Sequence, residues 1–291
     1  MNQNPPSVAD DPSERPVFLN GRILPLSKAS ISPQDRGFLF SDSVYEVILI
    51  RQGGLCNLNR HLKRLEQSLQ LMQIPNPYDL QEWRRHLTAL AQTNEYPHAC
   101  LYLQVSRGIQ LFRDLVPPAV PPANSEPTVF AILNKQGQNV TKISAATAED
   151  MRWGLCQIKT TGLTANVMAR MAHPDAQEVI MHRQGNVTEG ASSSVFAVTS
   201  SGIVTPPLSQ NILPSVTRAL LLGILAEQGH PCSEQTLSLD ELRTAQEIWV
   251  TNALGGFRAV TSLDGATVGN GECGPIWQKL SPIFDNARNS D

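Results

Sequence analysis

A lysine and a glutamate are the two side chains of this 291-residue chain whose types and spacing point most directly to chemistry. Lys159 stands in an apolar-bordered segment, and Glu189 follows 30 residues later in a polar, glycine-bearing loop. A lysine amine can form a Schiff base with an aldehyde, and a carboxylate can keep a pyridine nitrogen protonated. If both groups serve one pocket, they predict pyridoxal-phosphate (PLP) chemistry. Taken singly, each has a simpler interpretation, as a solvated surface lysine and as a polar turn over 187–190.

The start of a predicted helix over 216–228 offers a place for a phosphate. The first N–H groups of a helix have no acceptor within it, and here Ser215 precedes them while Thr217 adds a hydroxyl. Arg64, on a predicted amphipathic helix, can bind phosphate through two parallel hydrogen bonds. The stretch 251–253, at the end of a predicted strand, is a further source of hydroxyl or amide groups. The alternatives are simple helix capping and, for Arg64, a solvated helix face.

Composition excludes several other classes of function. A net charge of -3 predicts no broad basic surface for nucleic acid. The five cysteines are widely spaced and form no Cys-x-x-Cys pair, which argues against a disulfide framework or a zinc site. No leader peptide or membrane-length apolar run is found, and no glycine-rich nucleotide motif. We therefore expect a cytoplasmic protein with small-molecule partners, no metal, no nucleic acid and no membrane.

The order of predicted elements is that of the α+β class, because strands cluster instead of alternating strictly with helices. Asn20-Gly21 predicts a tight hairpin, and Asp79 with Glu82 predicts a capped helix over 80–94. The remaining predicted helices span 59–72, 164–172, 216–228, 239–245 and 274–284. The predicted strands span 43–50, 55–58, 100–107, 128–133, 178–182, 194–198, 202–205, 247–251 and 259–263. The predicted domains are a disordered tail over 1–14, a small N-terminal domain over 15–134, a linker over 135–139 and a larger domain over 140–291.

Seven short runs occur in the order typical of one enzyme family. They are Asp35–Glu46, His61–Leu65, Tyr102–Gly108, Asp150–Trp153, Ile158–Lys159, Val187–Gly190 and Ile212–Arg218. On these runs the chain resembles the fold-type IV PLP enzymes, which comprise D-amino-acid aminotransferases, branched-chain aminotransferases and aminodeoxychorismate lyases. The resemblance covers residues 16–283 and is greatest to the D-amino-acid aminotransferases. It implies a two-domain fold, with a small N-terminal α/β domain and a larger C-terminal domain built on a pseudo-barrel sheet, assembled as a homodimer.

The resemblance also implies roles for individual residues. Lys159 would attach the cofactor and later carry the α-proton, and Glu189 would face the pyridine nitrogen. Phe38 and Arg113 would contact the substrate. The other residues expected to hold PLP are Arg64, Ser192, Leu213, Ser215, Val216, Thr217, Asn252 and Ala253.

Several positions depart from the family pattern. The lysine is followed by Thr160-Thr-Gly162 where a leucine-asparagine pair is usual, Ser43 and Ser215 replace glycines, and Ser194 replaces an asparagine. Phe38 falls where the characterised D-amino-acid aminotransferases are expected to have their active-site tyrosine. The family's Arg-x-His carboxylate site is represented only by Arg113, since Leu115 stands at the histidine position.

The leading hypothesis is transamination of a D-amino acid, of the D-alanine or D-glutamate type, with a 2-oxo acid as acceptor. One alternative is β-elimination of the aminodeoxychorismate lyase type with release of pyruvate, since Thr251-Asn-Ala-Leu254 is more similar to that branch. The others are transamination of branched-chain L-amino acids and a PLP-binding homologue with little turnover.

Overall fold

The chain forms two compact units, seen in a computed structural model that describes residues 12–96, 98–111, 113–117, 126–137 and 140–289. The first unit runs to Gln136 and also includes Ile158–Gly162; the second comprises Gly137–Gln157 and the chain from Leu163 onward. The predicted domain boundaries stay a prediction. Of the predicted disordered tail, residues 1–11 lie outside the described residues, and Pro12–Glu14 forms one turn of 3-10 helix.

The first unit is built on a six-stranded antiparallel sheet with the strand order β2-β1-β6-β5-β3-β4. The predicted hairpin at its edge is confirmed, with positive φ angles of 45° at Asn20 and 86° at Gly21. The strands are β1 (Pro16–Leu19), β2 (Arg22–Pro25), β3 (Ser43–Arg51), β4 (Gly54–Leu55), β5 (His98–Ser106) and β6 (Thr128–Lys135).

The helices of the first unit follow the predicted periodicity. Leu62, Leu65 and Leu69 are buried on one side of α2 (Leu58–Leu71), as their spacing requires. The predicted capping pattern is confirmed at α3 (Leu80–Ala91), where the side chain at the N-cap and that three residues later each accept a backbone N–H. The short α1 (Arg36–Phe40) is not predicted by periodicity, because five residues are too few to show a helical repeat.

The lysine segment adds a short strand-like edge to this sheet. Since β4 pairs only with the end of β3, the first half of β3 has an edge that takes residues 159–161. The Tyr45 N–H donates to the Lys159 carbonyl at 2.9 Å, and the Thr161 N–H donates to the Ser43 carbonyl at 3.2 Å. The backbone of Lys159 is thereby fixed by residues far away in the sequence.

The second unit is built on a nine-stranded mixed sheet of order β12-β11-β10-β13-β14-β7-β8-β9, with β15 beside β14. The stretch around Glu189, expected to be a loop, is instead strand β9 paired with β8, which corrects the sequence interpretation. The strands are β7 (Lys142–Glu149), β8 (Glu178–Arg183), β9 (Asn186–Gly190), β10 (Ser194–Thr199), β11 (Gly202–Thr205), β12 (Cys232–Glu234), β13 (Glu247–Asn252), β14 (Gly256–Leu263) and β15 (Ala266–Thr267). The helices are α4 (Thr164–Ala172), α5 (Val216–Glu227), α6 (Leu239–Arg243) and α7 (Pro275–Arg288).

This sheet is apolar on both faces, and strand alternation distributes its residues between two cores. Along β10, Val195 and Ala197 join one core, whereas Phe196 and Val198 join a second core with α5 and α7. The predicted α+β class is confirmed. Within the described ranges, no helix is long and apolar enough to cross a membrane.

Candidate active site

The lysine cluster is formed by Lys159, Tyr45, Ser43, Thr161 and Gln104 in the first unit. The Lys159 Nζ lies 4.1 Å from the centroid of the Tyr45 ring, a distance at which a cation is attracted to the π face. The Lys159 N–H donates to the Ser68 hydroxyl at 3.3 Å. Backbone and side chain of the lysine are therefore both positioned. Tyr45 is the aromatic side chain that sequence reasoning missed beside the amine.

Two of the departures from the family pattern meet in this cluster. The hydroxyls of Ser43 and Thr161 lie 2.5 Å apart. The Gln104 side-chain amide donates to the Ser43 hydroxyl at 3.3 Å, and the Tyr102 hydroxyl donates to the Gln104 carbonyl oxygen at 2.8 Å. The two substitutions thus form one contact that fastens the lysine-bearing segment to β3.

We expect Ser43→Ala and Thr161→Val each to lower the free energy of unfolding by about 1 kcal/mol, because each removes one partner of a shielded hydrogen bond. The double variant should lose about 0.5 kcal/mol less than the sum of the single losses. Denaturant unfolding of the four proteins measures this coupling. Strictly additive losses would show that the two hydroxyls do not stabilise each other.

A second set of buried side chains surrounds Glu46, which lies on β3 next to Tyr45. Arg64 donates to this carboxylate through Nε and Nη2, both at 2.7 Å, and the His61 Nδ1 lies 2.7 Å from it. Burial alone would raise the pKa of Glu46, but the charge and hydrogen bonds of Arg64, with those of His61, lower it to about 2. Arg64, predicted as a phosphate ligand, is thus buried and oriented by Glu46.

The depressed pKa of Glu46 makes a pH-dependent prediction. Because the pKa falls from 4.5 to about 2 on folding, the ionised group stabilises the fold above pH 4.5, and this contribution is lost as the pH falls toward 2. The difference corresponds to roughly 3 kcal/mol. The stability gap between the natural protein and Glu46→Gln should therefore shrink across this window in urea unfolding. The matched control Glu272→Gln changes an exposed ion pair with Lys142 and should show little dependence.

The glutamate cluster, formed by Glu189, Arg152, Asp150, Thr188 and Leu213, lies in the second unit. The Arg152 Nη1 donates to Glu189 at 2.5 Å, and the Leu213 N–H lies 3.2 Å from both carboxylate oxygens. Arg152 also donates through Nε and Nη2 to Asp150, at 2.9 and 2.8 Å. Asp150 accepts the Thr188 hydroxyl at 2.9 Å. Leu213, predicted to contact the cofactor, thus contacts Glu189 through its backbone.

Electrostatics keep Asp150 and Arg152 of this cluster ionised. Burial tends to raise the pKa of Asp150, but hydrogen bonds and charge from Arg152 lower it to about 2. Burial tends to lower the pKa of Arg152, yet Asp150 and Glu189 raise it above its ordinary value. Arg152 was recognised in the sequence only as part of a motif, not as a site residue. Its spacing from Asp150 is the signal that could have identified it.

The start of α5 carries the predicted phosphate residues. Ser215 is the N-cap, its hydroxyl accepting the Arg218 N–H at 3.2 Å and lying 3.0 Å from the Thr217 hydroxyl. Val216 and Thr217 form the first turn, whose amides have no acceptor within the helix. An anion is favoured at such a helix start.

Two further hydroxyls of the second unit are placed to donate hydrogen bonds to a bound group. Ser194 and Thr251 lie opposite each other on β10 and β13, and their buried hydroxyl oxygens have no hydrogen-bond partner among the described residues. Buried hydroxyls without a partner are costly, so an acceptor bound at this place would stabilise them. Hydroxyls and helix amides as donors fit the phosphate of PLP, and a carboxylate as acceptor fits its protonated ring nitrogen.

Three other predicted residues lie at the ends of strands. The Ser192 hydroxyl donates to Glu178 at 2.9 Å. Asn252 ends β13, its side-chain oxygen accepting the Gly255 N–H, and Ala253 follows it. These residues belong to the same unit as Glu189.

The two predicted substrate residues lie in the first unit and are exposed. The Phe38 side chain is 77% exposed. The aromatic ring that lies beside the Lys159 amine belongs to Tyr45. The guanidinium of Arg113 lies over the Phe40 ring at 4.8 Å. The roles of Phe38 and Arg113 stay predictions. In the described part of the chain, no three His, Cys, Asp or Glu side chains are grouped to hold a metal ion.

The chain is similar to known aminotransferases in sequence and in fold. The D-alanine aminotransferase of Bacillus licheniformis is 34% identical over 93% of this chain and 96% of its own, and that of Staphylococcus haemolyticus is 31% identical over 92% and 96%. A PLP-bound hypothetical aminotransferase from Mycobacterium tuberculosis superimposes with a TM-score of 0.81 at 27% identity, covering 94% of this chain and 98% of its own. A branched-chain aminotransferase from Thermoproteus uzoniensis, at 21% identity, a TM-score of 0.84 and 94% coverage of both chains, shares the fold. The model of the family described as amino-transferase class IV matches residues 43–263, and this chain belongs to that family.

Proposed function

We propose that this protein is a PLP-dependent transaminase that moves the amino group of a D-amino acid, of the D-alanine or D-glutamate type, to a 2-oxo acid. The observation that carries the proposal is the buried ion pair between Glu189 and Arg152, completed by the Leu213 amide. A carboxylate held ionised in this way is suited to keep a pyridine nitrogen protonated. The similarity to D-alanine aminotransferases over more than nine-tenths of the chain supports the substrate class.

In this proposal, Lys159 and Glu189 serve the same cofactor molecule. Bound PLP supplies an electron-accepting ring that weakens the Cα–H bond of the amino acid. The Lys159 Nζ takes and returns the α-proton, held in place by Tyr45 and by the contacts of its backbone. Glu189 holds a proton at the ring nitrogen, and Arg152 keeps that carboxylate negative.

The phosphate is assigned to the hydroxyls and amides at the start of α5, with Arg64 as a positive partner. Ser215, Val216 and Thr217 offer first-turn donors, and the buried Ser194 and Thr251 hydroxyls need an acceptor. Ser192, Asn252 and Ala253 are proposed to line the same cofactor. Phe38 and Arg113 are proposed to contact the substrate.

The lyase alternative rests on Thr251-Asn-Ala-Leu254, in which Ala253 offers no hydroxyl. A lyase releases pyruvate from aminodeoxychorismate without any amino acceptor. Incubation with D-alanine and 2-oxoglutarate, followed by chromatography of the products, tests the proposal. We expect pyruvate and glutamate in equal amounts. Pyruvate from aminodeoxychorismate alone, with no product from D-alanine, would instead support the lyase.

We also propose that the protein is a cytoplasmic homodimer. The dimer is motivated by α4, which has no buried residue. Its Val167, Met168 and Met171 side chains are 52%, 65% and 74% exposed. Met151, at 78% exposure, adds to the exposed apolar surface of the same unit. Apolar surface of this kind is typical of a protein interface. Light scattering of the purified protein tests the dimer.

A further inference from the structure

Arg258, on β14 of the second unit, is a largely but not fully buried cation with few partners among the described residues. Its side chain is only 13% exposed, and its one ion pair in the described residues is with Glu178 at 3.8 Å. That distance exceeds a hydrogen bond. Its Nε is buried without any hydrogen-bond partner in the described ranges. A guanidinium with five N–H donors is thus desolvated and nearly unpaired, which requires an explanation.

Glu178 does not provide that explanation, because it is already satisfied. Its carboxylate accepts the hydroxyls of Ser192 and Ser193 at 2.9 and 2.7 Å, and the Val179 N–H at 2.9 Å. These three hydrogen bonds stabilise the negative charge without Arg258. The arginine donors are therefore available to another acceptor.

A second arginine adds to the excess of positive charge. Arg170, in the last turn of α4, also has a buried nitrogen, Nη1, without a partner in the described part of the chain. Burial lowers the pKa of Arg258, Glu178 opposes this effect, and the charge of Arg170 lowers it further. The region therefore holds two cations and one carboxylate that already accepts three hydrogen bonds, so a bound anion would be electrostatically favourable there.

Arg258 lies against the turn after β13 and on the opposite face of the sheet from Thr251. An added side chain at Gly255 would meet the Arg258 guanidinium and the Asn252 side-chain oxygen, so Arg258 lies against the turn after β13. Phe257, not Arg258, is paired with Thr251, and successive strand residues point to opposite faces. Arg258 is thus separate from the hydroxyl cluster assigned to the phosphate.

We propose that Arg258, supported by Arg170, binds the carboxylate of the amino-acid and 2-oxo-acid substrates. This assignment rests on the proposed transaminase function and gives it a carboxylate ligand other than the exposed Arg113. The planar guanidinium suits a carboxylate because two parallel N–H groups meet its two oxygens. Two residues assigned to the cofactor lie in this region: Asn252 shares the turn at Gly255 with Arg258, and Ser192 donates to Glu178, the ion-pair partner of Arg258.

Titration calorimetry of the PLP-loaded protein with propionate tests the proposal. Propionate has the carboxylate of alanine and pyruvate but no amine or ketone, so binding is measured whether or not transamination occurs. Propionamide has the same shape without the charge and should not bind. We expect Arg258→Gln to weaken propionate binding by about tenfold or more, the scale of one charged hydrogen bond. Arg170→Gln should have a smaller effect.

Arg243→Gln is the matched control, because Arg243 is half exposed and pairs only with surface aspartates among the described residues. It should bind propionate as the natural protein does. Arg258→Lys keeps the charge but not the two parallel N–H donors, so it should bind propionate with intermediate affinity. This variant also tests the proposal if Arg258→Gln does not fold. Unchanged propionate affinity in a folded Arg258 variant would show that this arginine does not bind the carboxylate and would overturn the proposal. If such a variant still converts D-alanine, only the role of Arg258 is overturned, and the proposed transaminase function stands.

Discussion

Lys159→Ala should lose covalent attachment of the cofactor and reduce transamination by a factor on the order of 10⁴ or more, the upper range for removal of a catalytic proton carrier. The side chain supplies the only amine placed beside the Tyr45 ring among the described residues. Removing it leaves no group at that position to move the α-proton. The fold should persist, because the Tyr45–Lys159 and Thr161–Ser43 backbone hydrogen bonds do not require the side chain.

Borohydride reduction followed by mass spectrometry measures the attachment directly. In the natural protein, we expect the mass of reduced pyridoxyl phosphate on the peptide that contains Lys159, and no such mass in the variant. Lys142→Ala is the control, since Lys142 is an exposed residue paired with Glu272. A pyridoxyl group that remains on the protein in Lys159→Ala would show that another lysine attaches the cofactor.

Arg152→Met should have the second-largest effect, on stability and on activity together. The side chains of Arg152, Asp150 and Glu189 are 9%, 0% and 7% exposed, so removal of the cation leaves two buried carboxylates short of their partner. Breaking a buried ion pair in this way costs roughly 3–5 kcal/mol. Asp150 retains Arg183 at 3.3 Å and the Thr188 hydroxyl, whereas Glu189 retains the Leu213 amide. Both carboxylates thus keep other hydrogen bonds but lose the guanidinium that bridges them.

A double-variant cycle separates the charge pair from simple packing. Denaturant unfolding is measured for the natural protein, Arg152→Met, Glu189→Gln and the double variant. We expect the double variant to be more stable than the two single losses predict by addition, because it contains no uncompensated Glu189 charge. Cofactor affinity should fall in both single variants. An Arg152→Met protein with unchanged stability and activity would contradict the role assigned to this arginine.

Local signals in the sequence were sufficient to predict most elements of the fold. The boundaries of α4 and β11 agree with the predicted ones, and the hairpin at Asn20 and the capped start of α3 depend on interactions between near neighbours. Strand β9 was missed because its polar residues, Thr188 and Glu189, are buried against partners that are not local. A polar strand without alternating apolar residues resembles a loop when partners are unknown.

The site residues likewise divide into those that the sequence revealed and those that it did not. Lys159 and Glu189 were found from their types and spacing, whereas Arg152 and Tyr45 lie within family motifs but were missed because their roles depend on tertiary contacts. The contact between Ser43 and Thr161 shows the same limit, since the two departures appeared unrelated in the sequence. Arg258 lies outside every motif, and only its buried, nearly unpaired guanidinium draws attention to it.

The half-reaction of the PLP-loaded protein with D-alanine and L-alanine tests the proposed function most directly. Absorbance reports the lysine-bound cofactor, and chromatography reports the pyruvate released in the absence of any acceptor acid. We predict that D-alanine removes the absorption band and releases about one pyruvate per bound cofactor, whereas L-alanine does neither. Loss of the band with L-alanine alone, or no change with either enantiomer, would contradict transamination of a D-amino acid by this chain.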